Sequence, residues 1–118
     1  MSNNERDIMI LRKIVQYCKE IHGTCEQFNH SADLFASSYT FRNACSMCIL
    51  QIGELAGKLS DATQSAIPSI PWKAIRGMRN LLAHNYGNIQ MEATWATIVQ
   101  DIPALQAACE NYLKMKTL

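Results

Sequence analysis

The sequence is short of most features that would take it out of the ordinary globular class. Three prolines and five glycines, with no run of either, leave no collagen-like repeat, flexible linker or low-complexity segment. No apolar run approaches the roughly 18 residues needed to span a bilayer, so no membrane segment is expected. Neither sign of charge dominates. Eleven Lys+Arg against ten Asp+Glu give +1, which excludes a broad surface for coating nucleic acid but not a small basic site. No alternation of apolar and polar residues persists, which excludes an extended sheet. Hydrophobic residues, by contrast, make up 48%, too many for a disordered chain. A length of 118 predicts one domain, 1–118, with a modest core. Helix pairs with spare apolar surface at this size often dimerise.

The five cysteines, Cys18, Cys25, Cys45, Cys48 and Cys109, are an odd number without a signal peptide ahead of them. They read as free thiols in a reducing, cytoplasmic setting. In that setting the Asn29-His30-Ser31 sequon carries no meaning. Cys45-Ser46-Met47-Cys48 matches C-x-x-C, but both cysteines fall mid-helix on an apolar seam, where packing is the better account. His22 and His30 stand alone, so no metal and no other cofactor is expected. Trp72 and Trp95 fall on apolar stripes and read as core, and no serine has the neighbours of a nucleophilic triad.

Helical periodicity runs through every long segment. The first helix is expected from about Asn4 to about Cys25, with Ile8, Leu11, Val15, Cys18, Ile21 and Cys25 as its stripe and Gly23-Thr24 weakening its end. Ser31 suits the N-cap of a short helix, Ala32 to Ala36. A long helix follows from about Ser38 to Leu59, with Phe41, Cys45, Cys48, Ile52, Leu55 and Leu59 as its seam. Asn43, Gln51, Glu54 and Lys58 take its other face. Residues 61–70 are expected to be loop, with room for one turn of helix after Asp61. Pro71 suits the first turn of the next helix, which runs to about His84 and stops before Asn85-Tyr86-Gly87, where Gly87 can turn left-handed. From near Met91 the spacing of Trp95, Ile98, Ile102, Leu105, Cys109 and Tyr112 carries a helix to the end. Pro103 should kink or split it, with Asp101 capping the second part.

One stretch, Lys73 to Tyr86, holds the only dense basic cluster: Lys73, Arg76 and Arg79, followed by Asn80 and His84. At about 100° per residue, Trp72, Ile75, Met78 and Leu82 share the packing arc. Lys73, Arg76, Asn80 and His84 lie opposite, and Arg79 sits at the border. Cations near a helix end complement its dipole, which would suit His84. Arg79 is over a turn back, where burial would demand an anionic partner. Chemistry alone leaves a solvated helix end and a functional site both open.

Here the residues resemble a known family. Arg79-Asn80-Leu81-Leu82-Ala83-His84-Asn85-Tyr86 matches R-x4-H-x-Y, the signature of the HepT-like ribonuclease toxins of the HEPN superfamily. Ile52-Gly53-Glu54-Leu55-Ala56 is similar to the family's I-G-E-A segment, and Ile70-Pro71-Trp72-Lys73-Ala74-Ile75 to its I-P-W-x-x-I. Trp95 through Leu105, with D-x-P at Asp101 to Pro103, looks like its closing helix. The likeness covers about Asp7 to Leu113. One departure is local: many relatives carry glycine and an aromatic after the histidine, where this chain has Asn85-Tyr86-Gly87.

The resemblance implies an all-α antiparallel bundle of four to five helices that forms a homodimer, with the motif helices lining a shared cleft. It implies a toxin of a toxin–antitoxin pair, acting as a metal-independent endoribonuclease. The antitoxin would be a minimal nucleotidyltransferase that transfers AMP to the motif tyrosine, here Tyr86. Arg79 and His84 then become the expected catalytic pair, with Asn80, Arg76 and Lys73 supporting or binding RNA. A non-catalytic helical module that binds a nucleotidyltransferase or a nucleotide is the competing expectation.

Overall fold

The computed structural model describes residues 2–80 and 88–117, with backbone alone at 88–90. Among these residues there is helix and no strand, an all-α bundle as expected. The first helix, α1, spans Asn3–Gln27. Ser2 caps it by accepting from the Glu5 N–H at 3.2 Å and donating to the Glu5 carboxylate at 3.3 Å. Its buried face is Ile10, Leu11, Ile14, Val15, Cys18, Ile21 and Cys25, together with Asp7; Ile8, expected on the stripe, is only half-buried. The helix continues two residues past Cys25 and closes with a Schellman turn. The His30 N–H reaches the Cys25 carbonyl at 2.8 Å and the Asn29 N–H reaches Glu26 at 3.1 Å. Asn29 and His30 both take left-handed φ, 57° and 51°.

Helix α2 (Ala32–Ser37) starts at the expected cap, with Ser31 accepting from the Leu34 N–H at 3.1 Å. Helix α3 (Tyr39–Ala56) is capped in the same way by Ser38 and packs along α1. It stops three residues before Leu59. The Lys58 and Leu59 N–H groups fall back on Leu55 and Ala56, so the last turn tightens while Leu59 stays buried. Where a loop with room for one turn of helix after Asp61 was expected, α4 forms over Asp61–Ala66. Its cap, Ser60, is shared with α1. The Asp7 carboxylate accepts from the Ser60 hydroxyl, from the Thr63 hydroxyl at 2.6 Å and from the Ser60 N–H at 3.2 Å. This buried clasp ties the start of the chain to the end of α3.

Helix α5 spans only Trp72–Gly77, with Pro71 just outside it at the cap position. The expected single helix to His84 therefore breaks after Gly77. The Met78 N–H bonds back to Ile75 at 3.1 Å, three residues away, and residues 78–79 form a turn. The expected helix end at Asn85-Tyr86-Gly87 lies outside the described residues.

The C-terminal segment is continuous: α6 (Asn88–Ala96), a π-helical turn (Thr97–Asp101) and α7 (Ile102–Lys116). Asp101 does not cap. Its backbone is helical and its side chain makes no capping bond. A proline ring collides with the carbonyl four residues earlier, here Val99, and offers no N–H. The wide π turn accommodates both problems without splitting the helix. Helix α7 packs on α1. Phe35, Phe41 and Trp95 pack with ring centroids 5.1–5.9 Å apart, and Phe28 stacks on Phe41 at 4.5 Å. That cluster anchors α6 to α2 and α3. No helix among the described residues is long and apolar enough to cross a membrane.

Candidate functional site

The basic cluster is mounted on α5 and the turn after it. Trp72 and Ile75 are buried, so Lys73 and Arg76 are left exposed on the outer side. The Trp72 indole N–H donates to the Ile67 carbonyl at 3.2 Å, fixing the start of the helix. Met78 is buried, and Arg79 and Asn80 follow it into solvent. All four described site residues, Lys73, Arg76, Arg79 and Asn80, are therefore accessible. His84 and Tyr86 lie outside the described residues.

Helix α3 supplies the seat. Gly53 is buried against this segment. A Cβ there would sit 3.5 Å from the Arg76 carbonyl and 3.5 Å from both N and Cβ of Arg79. One turn on, a Cβ at Gly57 would be 3.9 Å from Cδ of Arg76. Next to Gly53, the Glu54 carboxylate Oε1 accepts from Nη1 of Arg79 at 2.6 Å. Both side chains of this pair remain about half exposed, 52% and 47%. Arg79 thus has the anionic partner that burial would have demanded, although it is not buried. Among the described residues the guanidinium is held by one arm, and a phosphate is a fit partner for its other N–H groups.

Glu54 was not singled out from the sequence, where it fell on the outer face of α3. Its membership of the Ile52–Ala56 segment was the available signal, but only the fold brings it against a residue 25 positions away.

The C-x-x-C pair carries no redox site. Cys45 and Cys48 are buried in the core, and desolvation pushes their thiols up to about 12 and about 11. Cys18 and Cys109 are likewise raised to about 12 by burial. All five cysteines are free and buried, as packing residues. His22 and His30 do not stand alone: their rings are 5.6 Å apart, and His22 Nε2 lies 3.3 Å from Glu26. Among the described residues, no group of three or more such side chains is arranged to hold a metal ion.

Comparison with known proteins places these features. The family model described as "Ribonuclease HepT-like" matches residues 14–112. The chain belongs to the HepT-like ribonuclease family. Two relatives from Methanocaldococcus jannaschii, both carrying RNase names, are each 27% identical over 111 residues, 93% of this chain and 90% and 94% of theirs. A protein of Thermococcus cleftensis named "Probable ribonuclease HepT" is 32% identical over 63 residues, 53% of this chain and 57% of its own. No solved structure matches. Within this HepT-like chain, the I-G-E segment and the arginine of the R-x4-H-x-Y stretch are in direct contact, although 25 residues separate Glu54 from Arg79.

Proposed function

We propose that this HepT-like chain is a metal-independent endoribonuclease, the toxin of a toxin–antitoxin pair, working in the cytoplasm. Two copies would form a homodimer that lines a cleft with their Arg79 and His84 side chains. The observation that supports it best is the accessible Arg79 guanidinium, pre-oriented at 2.6 Å by Glu54 on a seat made by Gly53.

The chemistry is attack of the RNA 2′-oxygen on the adjacent phosphorus. One His84 takes the proton of the 2′-hydroxyl as the new O–P bond forms. The bond to the 5′-oxygen breaks, and the second His84, contributed by the partner copy, donates a proton to it. The products are a 2′,3′-cyclic phosphate and a 5′-hydroxyl. Histidine, with an ordinary pKa of about 6.5, suits both transfers near neutral pH. Arg79 grips the phosphate and offsets its developing charge. Asn80 orients His84 or the phosphate, and Lys73 and Arg76 attract the backbone.

Tyr86, two residues beyond His84, is the proposed acceptor of AMP: its phenol oxygen would bond the α-phosphorus of ATP held by a nucleotidyltransferase antitoxin, with pyrophosphate leaving. A phosphate and a base added there would repel and block RNA.

Purified protein incubated with RNA in EDTA tests the reaction. Cleavage to cyclic-phosphate ends is expected, and Arg79→Ala or His84→Ala should abolish it while leaving the melting curve unchanged. Cleavage that vanishes with chelator, or that survives His84→Ala, overturns the mechanism. Incubation with the partner enzyme and ATP should add about 329 Da, the mass of an AMP group, at Tyr86. An unmodified Tyr86 removes that part of the reading.

A further inference from the structure

An open groove of about 370 Å³ lies between α1 and the end of α3. Arg6, Met9, Ile10, Arg12, Lys13 and Leu55 line it. Arg6, Met9, Ile10 and Lys13 are spaced 3, 4 and 7 along α1, so they form one stripe with a cation at each end. Their Cα atoms span about 10 Å. Ile10 is buried and Leu55 partly so, while Met9 is 53% exposed and forms an apolar floor open to solvent. The three cations are exposed, and no ion pair to an acid holds any of them among the described residues. Leu55 directly follows Glu54, the partner of Arg79, so groove and site both border the last turns of α3.

An apolar floor under a cationic rim matches one kind of ligand better than others: a single-stranded polyanion with flat apolar faces. We infer that this groove is a substrate subsite, which holds the RNA strand as it passes from Arg79 across the end of α3. Arg6, Arg12 and Lys13 take phosphates while a base lies on Met9, Ile10 and Leu55. The charge balance agrees. The chain is nearly neutral, yet α1's first half, the end of α3 with the turn after it, and α5 with its following turn carry Arg6, Arg12, Lys13, Lys58, Lys73, Arg76 and Arg79 against Glu5, Asp7 and Glu54. A neutral protein gains local affinity for a polyanion only by such segregation. The identity of the strand rests on the ribonuclease reading; the groove's charge and shape do not.

The test is binding of a fluorescein-labelled, 2′-O-methylated dodecauridylate, which cannot be cleaved, followed by anisotropy across a salt series. Arg12→Gln/Lys13→Gln should weaken binding about tenfold and reduce the slope of log affinity against log salt by about 1.4, the loss of two phosphate contacts on a single strand. Met9→Glu, an exposed change, should weaken it with wild-type folding by circular dichroism. Lys19→Gln, further along the same helix and outside the groove, should match wild type. If Lys19→Gln weakens binding as much as the double variant, contact is diffuse and the subsite is wrong. If the double variant keeps its RNA affinity but changes oligomeric state by light scattering, the groove is a subunit interface instead, and the inference also fails. Because the probe is inert, the two failures are distinguishable: a protein that binds it through the groove yet cleaves no RNA would overturn the ribonuclease reading and leave the groove as an RNA-binding surface, whereas one that cleaves RNA but loses no affinity in the groove variants would overturn the subsite alone.

Discussion

Asp7 is the acid most removed from water, 2% exposed, and nothing in the periodicity of α1 singles it out. Burial by itself would raise its carboxyl pKa, but hydrogen bonds from the Ser60 and Thr63 hydroxyls and the Ser60 N–H outweigh that and hold it below the ordinary 3.8. A depressed folded-state pKa adds stability at pH values above 3.8, and that stability is lost as pH falls through the lowered value. Asp7→Ala should therefore cost about 1–3 kcal/mol in urea unfolding at neutral pH. The gap between variant and wild type should narrow in acid below the usual carboxylate range. An equal gap at both pH values would mean the carboxylate's charge is irrelevant to the clasp. Glu54 presents the opposite case. Its pair with Arg79 is about half exposed, so solvent screens it and Glu54→Ala should change stability by less than about 1 kcal/mol. Its effect belongs to orientation: cleavage by Glu54→Ala should fall severalfold, and Glu54→Gln, which can still accept the Arg79 N–H, should recover most of it. A melting-temperature loss in Glu54→Ala as large as that of Asp7→Ala would make the pair structural.

At the scale of helices, most boundaries followed from caps. Ser31 and Ser38 act where a hydroxyl before an apolar run should, and α1 to α3 begin within a residue or so of their expected starts. Three elements were legible only in part, for definable reasons. Helix α4 has one buried residue, Thr63, and exists because Ser60 both caps it and meets Asp7 from 53 positions away. The π turn answers a steric clash at Pro103 that sequence pattern reports only as an interruption. The break after α5 falls at Gly77, whose conformational freedom costs a helix about 0.5–1 kcal/mol relative to alanine. Gly77 has ordinary negative φ, and a Cβ there would meet nothing within 4 Å. Gly77→Ala should therefore stabilise the fold by roughly that amount. Equilibrium denaturation checks the sign, and a destabilised variant would mean the turn at 78–79 needs glycine.

Taken whole, the molecule is an α1–α3–α7 core with its cysteines inside. Thiols raised to about 12 and shielded from reagent should resist iodoacetamide at pH 8. Mass spectrometry should find Cys18, Cys45 and Cys109 unlabelled in the native protein and fully labelled in guanidinium. Rapid native labelling of Cys45 would contradict its burial. The apolar spacing in α1, α3 and α7 made this core readable in advance. The candidate site was readable only as a string, because contact between Glu54 and Arg79 depends on how α3 and α5 cross. That crossing also places control of the site in a helix to which no catalytic group is assigned. A methyl at Gly53 would just touch the Arg76–Arg79 segment, whereas any longer side chain would lever the arginine off its carboxylate. Gly53→Leu should thus produce a folded protein with a displaced guanidinium, disarmed from behind by a residue that no substrate ever meets.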